Sequence, residues 1–242
     1  MPQQILNQAT DFYLKSRDFN GLPIWQIKLP AEERKAKIKE LVQKELLTIN
    51  FGLSIFSAFS LEQHHINEMC KLMGRTPIFR NEYTGEKRPK EFSFLIRPTF
   101  KEFNLFSHLL DKMISDNIDQ AFFKNDIPLE SEEQRPDGKI SVKHKGTIAL
   151  LDEWLTKTIR FSDPAPKNEM IKTFREIRGL RRRPAHAIDE DVFDQKYFQE
   201  QRKLIINAYN AIRTLRKILN GHPKTRSYKL PDELLTGKIW TQ

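Results

Sequence analysis

Cysteine is almost missing from this chain: Cys70 is the single thiol in 242 residues. One thiol excludes an internal disulfide and a thiolate metal site, and such cysteine usage fits a reducing, cytoplasmic compartment. Long apolar runs are missing too. No stretch approaches the roughly 18 apolar residues of a membrane span, and Met1-Pro2-Gln3-Gln4 has no basic region followed by an apolar one, so neither membrane insertion nor export is expected. A Gly-rich phosphate loop of the P-loop type and a Gly-x-Ser-x-Gly elbow are both absent, which argues against an NTPase or a serine hydrolase of familiar type. There is no internal repeat and no low-complexity segment. What remains is an ordinary globular balance, 38% hydrophobic and 30% charged, long enough for one large domain or two small ones.

Charge is present in quantity and unevenly placed. Lys and Arg exceed Asp and Glu by nine over the whole chain; residues 1 to 142 sum to zero, and residues 143 to 242 carry the entire +9. A field of that sign favours polyanions such as RNA or DNA. The plainer reading is a solvated basic face that aids solubility.

The first hundred residues read as mixed structure around one strong helix, Ala31 to about Ile49, preceded by Pro30 and opening on the ordinary first-turn charges of Glu32-Glu33-Arg34-Lys35. Asn50 to Phe59 could be a strand or a buried turn, and Leu61 to Met73 reads as a helix closed by Gly74. The segments 77–83 and 91–96 flank a Gly- and Lys-containing loop and are expected to pair as a β-hairpin. From Pro98 onward the pattern is helical. Phe103, Phe106, Leu110, Met113, Ile114 and Ile118 share one stripe of a helix from Lys101 to Phe123, and 125–141 follows as an exposed polar connector. Three more helices are expected at about 146–161, 167–183 and 191–220, the last closed by Gly221. Amphipathic helices joined by short polar links make a bundle. The Trp and Phe residues, Trp25, Trp154 and Phe174 among them, sit in apolar periodic contexts and read as core. The expected organisation is a smaller α+β region over 1–97, a helical bundle over 98–222 and a tail over 223–242.

Within the basic half, Leu180-Arg181-Arg182-Arg183-Pro184-Ala185-His186 sets an arginine five positions before a histidine at a helix boundary. A fixed cation for a phosphate and a side chain titrating near neutrality are the minimum for cleaving a phosphodiester. Spacing alone is weak evidence among 17 arginines and 6 histidines, and Arg216 with His222 is a second match. Context separates the two. Phe174, Ile177 and Arg181 fall at successive helical steps, so Arg181 continues an apolar stripe toward packed surface and asks for an anionic or hydrogen-bonding partner. Arg175, Arg178 and Arg182 lie on a neighbouring face, gripping phosphates or keeping that face soluble. His186 lies past Pro184, where it can be a positioned acid/base or a structural histidine packed beside Ala185 and Ala187.

This heptapeptide, between an amphipathic helix and a long one, resembles the R-x4-6-H signature of the HEPN superfamily, with the small Ala185 before the histidine also usual there. By helix order the resemblance covers about 98–222. It implies a mainly α fold with a HEPN-like bundle of four or five helices, a homodimer in which two motifs meet, and metal-independent endoribonuclease activity without a cofactor. Toxin-antitoxin or phage-defence roles, with an antitoxin or other inhibitory partner, go with it. Arg181 would bind the scissile phosphate, His186 would move a proton, and the RNA product would be a 2′,3′-cyclic phosphate. Arg175, Arg178, Arg182 and Arg183 would be RNA-binding. The chain departs from the family in having Arg182, where Asn, Asp or His often follows the arginine. A non-catalytic helical adaptor or nucleic-acid-binding module is the alternative. One further cluster, His64-His65 with Glu62, Glu68 and Cys70, invites a metal reading, but these residues fall on different faces of one helix with no distant partner evident, so solvated helix surface is expected and no metal site is assigned.

Overall fold

The computed structural model describes residues 53–134, 137–181, 192–237 and 239–241. The chain divides into two compact units, Met1–Phe51 and Gly52–Gln242. The expected helix at 31–49 and Trp25 lie outside the described residues.

The second unit is mainly helical. Strand β1 (Leu53–Ser54) leads into α1 (Ile55–Leu72), and α2 (Phe100–Ile114) is followed by a hairpin of β2 (Glu130–Gln134) and β3 (Ile140–His144). Then come α3 (Thr147–Thr158), α4 (Ala165–Leu180), α5 (Lys196–Asn220), the short α6 (Asp232–Thr236) and β4 (Ile239–Trp240), which pairs parallel with β1. The most extensive packing is α1 on α5; α4 then lies on α5 and α2, and α3 on α4.

Helix α1 starts where Ser54, in extended backbone, accepts a hydrogen bond from the Ser57 N–H at 3.1 Å. It ends at Gly74, whose φ of 79° suits a residue without Cβ and lets the Arg75 N–H reach back to the Cys70 carbonyl at 2.9 Å. Phe56, Phe59, Ile66 and Met69 recur on its buried face. That face belongs to the same core as Phe106, Leu110, Trp154, Phe174 and Ile212, so packing runs across residues 97–98, and the expected boundary there does not coincide with a break. The expected tail is likewise packed in. Thr225 and Leu234 are fully buried, and the Tyr228 hydroxyl meets His65 Nδ1 at 2.8 Å.

Helix α2 begins one residue earlier than expected, at a Thr-x-x-Glu sequence. Thr99 Oγ1 accepts from the Glu102 N–H at 3.2 Å, and Glu102 Oε2 accepts from the Arg97 N–H at 3.0 Å. Thr99 is buried, so Thr99→Ala removes the cap with no water to replace it. We expect a loss of about 1 kcal/mol in urea unfolding.

The expected hairpin between 77–83 and 91–96 does not form. Side-chain amides satisfy those backbones instead. Asn67 on α1 donates to the Phe79 carbonyl and accepts from its N–H, while the buried Gln201 on α5 accepts from Leu95 N–H and donates to the Ser93 carbonyl. Phe92 and Phe94 turn inward onto Phe56, with ring centroids 5.2 and 4.7 Å away. The hairpin that does form occupies the stretch expected to be a connector. Its strands are exposed: β2 is wholly polar and so lacks apolar alternation, β3 alternates only briefly through the exposed Ile140 and Val142, and Gly138 with φ of 79° stands between them. Helix α2 also stops at Ile114 rather than running to Phe123, with a 3₁₀ turn at Gln120–Phe122 beyond it.

Candidate functional site

Helix α4 ends at Leu180, short of the expected 183, and Arg181 is its C-cap residue. This corrects the expected orientation of Arg181. It does not enter the core with Phe174 and Ile177 but lies over the C-terminal end of α2, with a side chain 39% exposed. The anionic partner that its position demanded is there in duplicate. Arg181 Nη1 donates to Asp116 Oδ2 at 2.8 Å and approaches Asp111 Oδ2 at 3.3 Å. Asp116 first and Asp111 second hold the guanidinium pKa above its ordinary value. Asp111 is completely buried, and its other oxygen has no hydrogen-bond partner, so Arg181 is the counter-charge that keeps this carboxylate tolerable.

Arg178 shares Asp116 with Arg181, donating to Asp116 Oδ1 at 3.1 Å. Arg175, one turn earlier, donates to Asp152 Oδ2 at 2.8 Å; Asp152 also takes the buried Lys167 ammonium at 2.6 Å. The arginine face of α4 is therefore threaded with carboxylates from α2, the turn that follows it, and α3. Both carboxylates on Arg181 use Nη1, so neither engages the Nη2 and Nε edge of the fork. His186, Arg182 and Arg183 lie outside the described residues.

The arginines are legible in the sequence but their partners are not, because Asp111 and Asp116 stand 70 and 65 positions away from Arg181. Nor does any sequence motif mark His108. That histidine sits one turn before Asp111 on α2, and its Nε2 is buried without a hydrogen-bond partner.

The second Arg-to-His match resolves differently. Arg216 is 4% exposed and forms a bidentate ion pair with the wholly buried Glu62, between α5 and α1. Burial raises the Glu62 carboxyl above its usual range, and Arg216 draws it back. His222 is exposed and caps the following turn, accepting from the Lys224 N–H at 3.2 Å.

The cluster around His64 and His65 also separates. Glu62 is committed to Arg216. His65 is buried, and desolvation above all, then His64 and Arg216, pushes it down to about 4. Burial pushes the Cys70 thiol up to about 11, which leaves it inert as a ligand or nucleophile. His64 and Glu68 remain on the rim of α1, and Glu82 joins them from the loop after Gly74. A donor atom from each of the three lies within 4.8 Å of the others.

No family model, no curated protein and no solved structure matches this chain. No helix among the described residues is long and apolar enough to cross a membrane.

Proposed function

We propose that the chain is a metal-independent endoribonuclease of HEPN type, acting as a homodimer. The observation that carries the reading is the placement of Arg181. A guanidinium at the end of α4 is steadied through one nitrogen by Asp111 and Asp116, and its other edge is open to neither of them. Arginine has five N–H donors in a rigid fork, so one edge can be anchored while the other takes two oxygens of a phosphate. In the reaction the RNA 2′-oxygen attacks the adjacent phosphorus and the bond to the 5′-oxygen breaks, leaving a 2′,3′-cyclic phosphate and a 5′-hydroxyl. Arg181 stabilises the charge on the phosphorane oxygens. One His186 accepts the 2′-hydroxyl proton, and a protonated His186, from the second copy, supplies one to the departing oxygen. Arg175, Arg178, Arg182 and Arg183 contact flanking phosphates.

A second reading is favoured by one feature, the ion pairing of Arg175, Arg178 and Arg181 with Asp152, Asp116 and Asp111. A compensated face of this kind suits a non-catalytic helical adaptor or nucleic-acid-binding module, whose RNA affinity falls with salt and is unaccompanied by scission.

Incubation of structured and single-stranded RNA in EDTA with wild type, Arg181→Ala and His186→Ala separates these readings. Cleavage that is equal in all three overturns the enzyme. His108→Asn is the companion variant, expected to leave cleavage intact. Asp116→Asn removes the charge held between Arg178 and Arg181 and is expected to tighten RNA binding several-fold at low salt, an advantage that shrinks as salt rises. Fluorescence anisotropy with a labelled oligonucleotide measures it.

A further inference from the structure

Three other side chains present a different chemistry. We propose that His64, Glu68 and Glu82 form a binding site for a divalent transition cation of the zinc class, joining α1 to the loop that follows it.

His64 and Glu68 are four residues apart on α1, which puts them on one edge of the helix. Glu82 comes from outside the helix, and the loop that brings it is firmly held. The Asn67 amide grips Phe79 through both its N–H and its carbonyl, and Asn117 does the same to Asn81, accepting from its N–H at 2.8 Å and donating to its carbonyl at 2.9 Å. Glu82 is the next residue. The third donor is thus delivered by a backbone fixed from two sides, which limits the ordering entropy that ion binding costs.

The donor atoms lie within 4.8 Å of one another, and His64 Nδ1 is 3.1 Å from Glu82 Oε2. Around a tetrahedral Zn²⁺, with bonds of 2.0–2.2 Å, neighbouring donors stand about 3.3 Å apart, so side-chain rotation on the order of 1 Å closes the set. The side chains are 33%, 34% and 32% exposed, open enough for an ion to enter and sheltered enough to weaken competition from water. Lys71 holds Glu68 through Oε1 at 2.6 Å and leaves Oε2 for the ion.

One imidazole with two carboxylates selects by chemistry. Mg²⁺ and Ca²⁺ favour all-oxygen sets, and thiolate-seeking ions find no sulfur, whereas Zn²⁺ accepts nitrogen and oxygen together. Three protein ligands leave a fourth position for water or an external group. The site does not involve Arg181 or His186 and does not rest on the ribonuclease reading.

The test is calorimetric titration of the full chain with ZnCl₂ in a non-chelating buffer, after EDTA treatment and desalting, with circular dichroism confirming the fold of each variant. One saturating equivalent is expected. His64→Ala and Glu82→Gln should each weaken it by about tenfold or more, and Lys71→Ala should strengthen it several-fold by freeing Glu68. Excess Mg²⁺ should not compete. Absence of saturable binding, wild-type affinity in both ligand variants, or binding that instead disappears in His144→Ala or His222→Ala overturns the site.

Discussion

Arg181→Ala is expected to lower RNA cleavage by about 10²–10³-fold, the usual effect of removing one fixed donor from a developing oxyanion. His186→Ala is expected to cost about 10²–10⁴-fold through loss of proton transfer. The two should not be additive when combined, because they act on one step. Arg181→Lys discriminates further. Lysine keeps the charge but presents a point donor rather than a fork, so it cannot hold Asp111 and Asp116 on one side while taking two phosphate oxygens on the other. We expect it to recover RNA binding much better than cleavage. Product analysis by mass spectrometry should find 2′,3′-cyclic phosphate ends in EDTA. Full activity in Arg181→Lys would show that charge alone suffices and would remove the argument from fork geometry.

Arg216→Met is expected to be the most destabilising of the single changes considered, at about 3–5 kcal/mol, because it strands the Glu62 carboxylate in a site with no solvent exposure. Replacing both charged side chains of the pair by apolar ones, as Glu62→Leu with Arg216→Met, should recover most of that loss, since an apolar pair of similar volume leaves nothing to desolvate. The single variant also has a pH signature. Burial already raises Glu62 above its usual 4.5 while Arg216 lowers it; without Arg216 the upward push is less opposed. The unfolded chain therefore loses its proton first as pH rises. The penalty is absent below about pH 4.5, grows through the interval up to the raised folded value, and is full above it. Urea unfolding at pH 5 and pH 8 should show the larger deficit at pH 8. A variant within 1 kcal/mol of wild type at pH 8 would mean that water reaches Glu62.

Much of the helical architecture was legible because each helix carries a local signal. The apolar residues of α2, α3 and α4 recur every three to four positions, and Gly74 and Gly221 stand where helices close. The hairpins were not legible. Phe79, Phe92 and Phe94 look like strand residues, yet long-range amide contacts from Asn67 and Gln201 satisfy the nearby backbone. In the real hairpin both faces meet water, so β2 carries no apolar alternation and β3 only the short Ile140–Val142 pair, too little to mark a strand.

The candidate site divides the same way. Glu82 could not be joined to His64 and Glu68 from sequence, because the Asn81–Asn117 contact that places it spans 36 positions. By itself the sequence determined a mainly helical chain, its basic C-terminal half and two arginines each followed by a histidine, all set by composition and local periodicity. Sequence context set Arg181 apart by its place on an apolar stripe, but tertiary structure decided what each arginine does. Packing of α1 on α5 seals Arg216 against Glu62 as part of the core, and the end of α4 at Leu180 leaves Arg181 at the surface, anchored by Asp111 and Asp116. Burial and counter-charge are properties of distant residues brought together, and spacing along one chain carries neither.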